Sequence, residues 1–126
     1  MIFGIGTDLV HIPRMASLLE KYDDKIALRI LSDAEFIGFK KASNKAAFLA
    51  KRFAAKEATA KAFGTGFRNG LSLQHIEVVN NKDGKPELKF HQQGQVLLEQ
   101  YNIGRSMLSL SDENEYAIAF VTLVEH

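Results

Sequence analysis

The segment from Lys45 to Phe63 constrains the fold of this chain more than any other, because it contains neither glycine nor proline. It is rich in Ala, Leu, Lys and Glu, which are strong helix formers, and the glycines that follow at 64 and 66 favour helix termination. At about 100° per residue, its apolar side chains form two faces. One face comprises Phe48, Leu49, Phe53, Ala60 and Phe63, and the other comprises Ala47, Ala54, Ala55, Ala58 and Ala62. We therefore predict one long helix, covered on most sides, at the centre of the fold.

The segments around this helix mix strand-like and helix-like patterns without a regular βαβ order. The predicted elements are a strand over 2–6, a junction over 7–12, a helix from Pro13, a helix from the Ser32/Glu35 capping box to about Lys41, a hairpin of 76–80 with 87–90, a short helix around Val96–Tyr101, and strands over 107–111 and 116–124. This order predicts an α+β fold in which an antiparallel sheet packs around the long helix. The last strand is apolar on both faces, so we expect each face to be covered, by the domain's own helices or by a neighbouring subunit.

Composition excludes several classes of protein. The chain has 126 residues, 46% of them hydrophobic and 25% charged, with a net charge of +1 and no cysteine. We predict a single globular domain over residues 1–126. A near-neutral charge argues against a dedicated nucleic-acid binder, and the lack of cysteine excludes disulfides, thiolate catalysis and Cys-based zinc sites. The longest apolar run falls far short of the roughly 20 residues of a membrane span, and the N-terminus lacks a secretory pattern, so we expect a cytoplasmic protein without a membrane partner.

Four charged residues on the long helix are candidates for chemistry: Arg52, Lys56, Glu57 and Lys61. Arg52 and Lys56 point into the phenylalanine-rich arc, where an unpaired ion would cost several kcal/mol. One interpretation is structural, with the heads paired in solvent and Glu57 bridging Lys61 at i, i+4 for about 0.3 to 0.5 kcal/mol. The other interpretation is a phosphate site lined by these cations.

Asp8 determines whether the phosphate site could also hold a metal ion. It could be a helix cap or an Asx-turn residue, but Pro13 places the cap of the next helix near His11 or Ile12. If Asp8 and Glu57 met in space, two carboxylates would suit Mg²⁺, which needs only one or two protein ligands besides water and phosphate. Such a metal with neighbouring cations is typical of phosphoryl transfer.

Other sequence signals are weaker. Gly4 and Gly6 do not fit a dinucleotide fingerprint, because no third glycine follows and no βαβ unit surrounds them. No phosphate-binding P-loop is present. The four histidines are scattered, and none is paired with a second metal ligand at helical spacing.

Two segments resemble a known family. They are Gly4-Ile5-Gly6-Thr7-Asp8-Leu9-Val10 with Arg14, and the run from Arg52 through Lys56-Glu57 and Lys61 to Gly66. They are similar to the signatures of the holo-[acyl-carrier-protein] synthase family, the short-chain 4′-phosphopantetheinyl transferases. The resemblance extends over nearly the whole chain and includes Leu31 to Glu35 and the Gly84-Lys85-Pro86 turn.

The resemblance implies transfer of 4′-phosphopantetheine from coenzyme A to a serine of apo acyl carrier protein, for fatty acid biosynthesis, with release of 3′,5′-ADP. It also implies Mg²⁺ dependence and a homotrimer with active sites between subunits. Asp8 and Glu57 would hold the metal, and Lys61 would bind the transferred phosphate. Glu57, or a metal-bound water beside it, would be the base. Arg52, Lys56, Lys61 and Gly64 would line the coenzyme A site, and Arg14 and Lys21 would face the acidic carrier protein.

Two positions depart from the family pattern, and two other function classes stay open. His11 stands where relatives carry Glu, and Asp112 stands where many carry His, so neither family role is transferred. A non-catalytic module could use the same basic helix to dock an acidic protein or a nucleotide, but it has no reason to place Asp8 near Glu57. A small nucleic-acid-binding domain would need exposed aromatics, whereas the phenylalanines here suit a core.

Overall fold

The computed structural model describes residues 1–126 and has the predicted α+β architecture. Its elements are β1 (Ile2–His11), α1 (Ile12–Tyr22), α2 (Asp24–Ile30), α3 (Asp33–Lys41), α4 (Lys45–Phe63), a 3₁₀ turn (Leu73–His75), β2 (Ile76–Asn80), β3 (Pro86–Phe90), α5 (Gln93–Gln100), β4 (Ile103–Glu113) and β5 (Tyr116–Glu125). None of the helices combines the length and apolarity needed to cross a bilayer. Helix α2 was not predicted, although Ile26, Ala27 and Ile30 have helical spacing.

Helix α4 spans the predicted residues, because both of its ends are fixed by local chemistry. The Asn44 side chain accepts a hydrogen bond from the Ala47 amide at 3.0 Å and caps the first turn. At the other end Gly64 adopts a left-handed conformation with φ of 85°, which glycine reaches at little cost. Most of the helix is buried, and its alanine-rich face packs on β1 and β5.

Strands β1, β5 and β4 form one antiparallel sheet in that order, and β2 and β3 form a separate hairpin. The prediction that the first strand ends at Gly6 was wrong: β1 continues to His11, and Asp8 pairs with Ala119 of β5. Strand β4 is also longer than predicted and begins at Ile103. In both cases pairing with β5 extends the strand through polar or glycine residues that local sequence would assign to a turn.

The two faces of the sheet have different surroundings. Inward residues of β5 such as Ala119, Val121 and Leu123 are fully buried beneath α4. The outward face carries apolar side chains that remain between 44% and 61% exposed: Ile5, Leu9, Met107, Ile118 and Phe120. The chain's own helices therefore cover only the inner face, which leaves a neighbouring subunit as the expected cover of the outer one.

Candidate active site

Asp8, Glu57 and Lys61 meet where β1 passes α4. Lys61 donates hydrogen bonds to Asp8 Oδ1 at 2.9 Å and to the Thr7 carbonyl at 3.0 Å. The Lys61 side chain is 52% exposed, while that of Asp8 is 16% exposed. The predicted i, i+4 bridge between Glu57 and Lys61 is absent, since the ammonium of Lys61 binds Asp8 instead. The two segments that carried the sequence hypothesis thus form one cluster.

The electrostatics of this cluster centre on Glu57. Partial burial raises the pKa of the Glu57 carboxyl above its usual value, the negative charge of Asp8 raises it further, and the positive charge of Lys61 partly offsets both. Asp8 and Glu57 border the same cleft, where the charge of one carboxylate acts on the other. Close carboxylates are unfavourable without a cation, and this arrangement is typical of sites for a divalent ion.

A cleft of about 330 Å³ opens beside the two carboxylates, between α1, α2 and α4. Asp8, Glu57, His11 and Arg14 form its polar part. The rest of its lining is apolar and includes Met15, Leu18, Ile26, Ile30 and Phe53. A cleft that combines an apolar wall with convergent charges is a favourable place for a ligand or partner side chain.

The predicted partner-binding residues both lie on α1, at different distances from the cleft. Arg14 is exposed in the first turn and lines the cleft next to the carboxylates. Lys21 is exposed in the last turn, with its ammonium 5.2 Å from the centre of the Tyr22 ring. Arg14 and Lys21 are seven positions apart in the sequence, which corresponds to about 10 Å along a helix. Both cations therefore lie along one helix that leads away from the carboxylates.

Lys56 has a different environment from the one predicted. Its side chain is completely buried, and its ammonium donates to Glu35 Oε1 at 2.6 Å and to the Ile30 carbonyl at 2.7 Å. Burial lowers the pKa of Lys56, and the nearby charge of Glu35 opposes that change. The prediction that Lys56 lines a coenzyme A site is therefore corrected: its charged group is enclosed by protein and joins α4 to α3.

Arg52 lies one turn before Lys56, at the edge of the same buried network. Its guanidinium stacks on the Phe48 ring at 4.1 Å, and its Nε is 3.8 Å from Glu35 Oε2 and makes no hydrogen bond. Burial lowers the pKa of Arg52, while the charge of Glu35 raises it. With a side chain that is 12% exposed, Arg52 is oriented by packing and keeps a small opening to solvent.

Gly64 lies at the exposed end of α4, and a side chain there would meet no heavy atom within 4 Å. Glycine is required here by the left-handed backbone and not by crowding. The first turn after α4 therefore presents bare backbone, three residues from Lys61.

Sequence reasoning missed the centre of the buried network, Glu35. Its carboxylate accepts from the Ser32 and Val78 amides, both at 2.9 Å, as well as from Lys56. A second buried carboxylate, Glu77, accepts from the Ser32 hydroxyl and contacts His91 Nε2 at 3.2 Å. Burial alone would raise the pKa of Glu77, but those hydrogen bonds, with the charges of His91 and Lys89, hold it below its usual value. The capping box was the only local signal for Glu35.

The two departures from the family pattern lie at the ends of strands. His11 is the cap residue of α1 but makes no capping hydrogen bond, and its ring lies 5.1 Å from that of Tyr116. Asp112 lies near the end of β4, with Oδ1 3.7 Å from Lys51 Nζ. Neither side chain makes an ion pair with Asp8, Glu57 or Lys61.

Comparison with known proteins gives consistent matches over the whole chain. The sequence profile of the 4′-phosphopantetheinyl transferase superfamily matches residues 4–121. A holo-[acyl-carrier-protein] synthase from Nitrosospira multiformis is 53% identical over 98% of this chain and 98% of its own length. The crystal structure of the Neisseria meningitidis holo-[acyl-carrier-protein] synthase matches with a TM-score of 0.94 at 42% identity, covering 99% of this chain and 100% of that one.

A second solved structure carries a ligand. The holo-(acyl-carrier-protein) synthase from Bacillus anthracis, in complex with CoA (3′,5′-ADP), matches with a TM-score of 0.82 at 36% identity, covering 100% of this chain and 99% of that one. Sequence, fold and the meeting of the two signature segments lead to one conclusion. The chain belongs to the 4′-phosphopantetheinyl transferase superfamily.

Proposed function

We propose that this protein transfers the 4′-phosphopantetheine group of coenzyme A to a serine hydroxyl of an apo acyl carrier protein and releases 3′,5′-ADP. The observation that carries the proposal is the meeting of Asp8, Glu57 and Lys61 beside a cleft bordered by Arg14. Relatives named holo-[acyl-carrier-protein] synthase, one of them solved in complex with CoA (3′,5′-ADP), support the choice of substrates. The reaction serves fatty acid biosynthesis, and all 126 residues form one catalytic domain.

The reaction forms one bond and breaks one. The serine oxygen attacks the phosphorus that carries the pantetheine arm, and the bond from that phosphorus to the bridging oxygen of 3′,5′-ADP breaks. The leaving group takes the electron pair, and the serine proton passes to Glu57. Partial burial and the charge of Asp8 raise the pKa of Glu57 above its usual value, which makes its carboxylate more basic.

Lys61 binds the phosphate group that is transferred. An ammonium has three donors, and Lys61 uses one on Asp8 and one on the Thr7 carbonyl. The third donor is available for a phosphate oxygen, and the exposed position of the side chain supports this role. A fixed cation next to a reacting phosphate stabilises the charge that develops in the transition state.

Asp8 and Glu57 fit Mg²⁺ as the metal. The structure has no cluster of three or more acidic or histidine side chains that could enclose an ion. Mg²⁺ does not need one, because in phosphoryl transfer it is held by one or two carboxylates together with water and substrate phosphates. When bound, the metal would neutralise the negative charge of the diphosphate. The charge of Asp8 raises the pKa of Glu57 and Lys61 offsets the rise only in part, so a further cation beside the two carboxylates would be stabilised there.

Coenzyme A carries several negative charges and needs cations beyond the reacting centre. Because Lys56 is buried in an ion pair with Glu35, we assign the cations of this site to Arg52 and Lys61. The exposed backbone at Gly64 lines the same site. The stacking of Arg52 on Phe48 reduces the entropy lost when the guanidinium binds a phosphate. Arg14 and Lys21 on α1 bind the acidic carrier protein, where complementary charge increases the rate of encounter.

The assembled enzyme is a homotrimer with active sites between subunits. The apolar outer face of the sheet supports association, because five large side chains on three adjacent strands stay 44% to 61% exposed in the single chain. The homotrimer itself rests on the family resemblance, as does the predicted cytoplasmic location.

The test is to incubate the purified protein with coenzyme A, Mg²⁺ and an apo acyl carrier protein and to measure the intact mass of the carrier. The expected result is a mass increase of one phosphopantetheine, which EDTA abolishes. Binding of coenzyme A or of the carrier without a mass change would support a non-catalytic binding module instead. The close approach of Asp8 to the α4 residues favours the enzyme, since a binding module does not require paired carboxylates.

A further inference from the structure

Strand β1 crosses α4 without an intervening layer of side chains. Along a strand alternate residues share a face, and in β1 residues 4, 6, 8 and 10 face inward while residues 5, 7, 9 and 11 are exposed. The first two of the inward residues are glycines. The strand can therefore lie directly against the backbone of the helix, as glycine in a strand interior often permits.

The space at both glycines is already filled by helix backbone. A Cβ at Gly4 would lie well under 3.0 Å from the carbonyl oxygen of Ala62, and a Cβ at Gly6 would lie equally close to that of Ala58. The Gly6 Cβ would also be 2.7 Å from the Ala62 amide nitrogen. These atoms belong to the backbone of α4, that of Ala62 in its last turn, and cannot rotate away as a side chain would. Any larger residue must move the strand.

The two contact points on α4 are next to the catalytic residues. Ala58 directly follows Glu57, and Ala62 directly follows Lys61. Asp8 is the next inward residue of β1 after Gly6, and a single methylene links its carboxylate to the backbone. With this short side chain it reaches Lys61 at 2.9 Å. The reach of Asp8 thus depends on the strand-to-helix distance that the glycines allow.

We propose that Gly4 and Gly6 are positioning residues for the transfer reaction, because their missing side chains set the distance at which Asp8 meets Glu57 and Lys61. This inference rests on the proposed function. It assigns the glycine pair a role that differs from phosphate binding, since both glycines face the helix and not a ligand. Gly6 has the stronger effect, because it is two residues from Asp8 while Gly4 is four residues away.

The test combines Gly6→Ala with Asp8→Glu, whose extra methylene extends the reach of the carboxylate by about 1.5 Å. Gly6→Ala alone should lower kcat about 100-fold, as a misplacement near 1 Å does. Asp8→Glu alone should also lower kcat. The double variant should be about tenfold faster than Gly6→Ala, because the longer side chain restores the contact. Mn²⁺ affinity, measured by calorimetry, should fall in Gly6→Ala and recover in the double variant.

Gly94→Ala is the matched control. Gly94 lies on α5, away from Asp8, Glu57 and Lys61, and its added Cβ would also be crowded, at 2.9 Å from the His75 carbonyl oxygen. It should lower thermal stability while kcat and Mn²⁺ affinity stay unchanged. A folded Gly6→Ala with wild-type kcat, or a double variant no faster than Gly6→Ala, would overturn the inference. If Gly6→Ala does not fold, Asp8→Glu alone decides: wild-type kcat would show that the spacing is not limiting. A wild-type protein that fails to modify the carrier would instead refute the proposed function.

Discussion

The carboxyl of Glu57 is affected by three of its surroundings: partial burial and Asp8 raise its pKa, and Lys61 lowers it. The side chain that binds Lys61 directly is Asp8, whose 2.9 Å contact joins β1 to α4. Asp8 therefore affects the proposed base in two ways, through its own charge and through the cation that it holds. Replacing Asp8 therefore changes both effects at once.

Asp8→Asn should lower kcat by about 100-fold or more while leaving the melting temperature nearly unchanged. It should also shift the acidic limb of the pH profile. Glu57 must be ionised to accept a proton, so the rate rises with pH through its pKa, which lies above the usual glutamate value. Loss of the Asp8 charge lowers that pKa, so the limb should move to lower pH.

The pH dependence of kcat/KM measures this shift, and Glu99→Gln, an exposed carboxylate on α5, serves as the control with an unchanged profile. A limb that stays in place or moves to higher pH would show that Asp8 does not act on the group that titrates.

Arg14 offers a test of the carrier-protein surface. Arg14→Glu should raise the KM for the carrier at least about tenfold with little change in kcat, and the difference should shrink at high salt because exposed charges are screened. Lys82→Glu, an equal charge reversal in the exposed turn between β2 and β3, is the control. Equal changes in KM for both variants would show that only total charge matters.

Helix α4 was predictable at the element scale because everything that defines it is local: its composition, the Asn44 cap and the terminating Gly64. The candidate site residues on this helix, Glu57 and Lys61, were also predicted from their residue type and spacing. The end of β1 was not predictable, because residues 7–11 form a strand only through pairing with β5, more than a hundred residues later. The burial of Lys56 was missed for the same reason, since its partner Glu35 is 21 residues away.

The Glu35 to Lys56 pair makes a prediction about how α3 is attached to α4. Glu35→Gln should destabilise the protein by about 3 to 5 kcal/mol, because it leaves the buried ammonium of Lys56 without its counter-ion. Replacing both partners, as Glu35→Gln with Lys56→Met, should cost less than Glu35→Gln alone, since no unpaired charge remains buried.

Urea unfolding at a fixed protein concentration compares these variants, with Asp33→Asn, an exposed acid in the same helix, as the control. A double variant that is less stable than Glu35→Gln would show that Lys56 stabilises the fold without its partner.

At the scale of the whole molecule, the outer face of the sheet is the main feature that a single chain leaves unexplained. The apolar character of β5 was readable from its sequence, but the sequence did not reveal which face its own helices would cover. Phe120 lies near the middle of this face, paired with Thr7 on one side and Ser109 on the other, and it is 46% exposed. A residue in that position contacts another subunit if the face is an interface.

Phe120→Glu should therefore convert the proposed trimer to monomers and abolish transfer, because a buried unpaired carboxylate is costly and the proposed active sites lie between subunits. Sedimentation velocity measures the change in mass. Val96→Glu, a similarly exposed apolar residue on α5, should leave both mass and activity unchanged. An active monomer of Phe120→Glu would contradict the proposed shared active sites.

In the proposed reaction this chain breaks the diphosphate of coenzyme A and transfers its phosphopantetheine side to a carrier protein. The most direct measurement quantifies free 3′,5′-ADP and modified carrier in the same sample. Equal amounts of both are expected, formed with Mg²⁺, prevented by EDTA and reduced at least about 100-fold in Glu57→Gln. Modified carrier without 3′,5′-ADP, or coenzyme A bound and intact after long incubation, would contradict it.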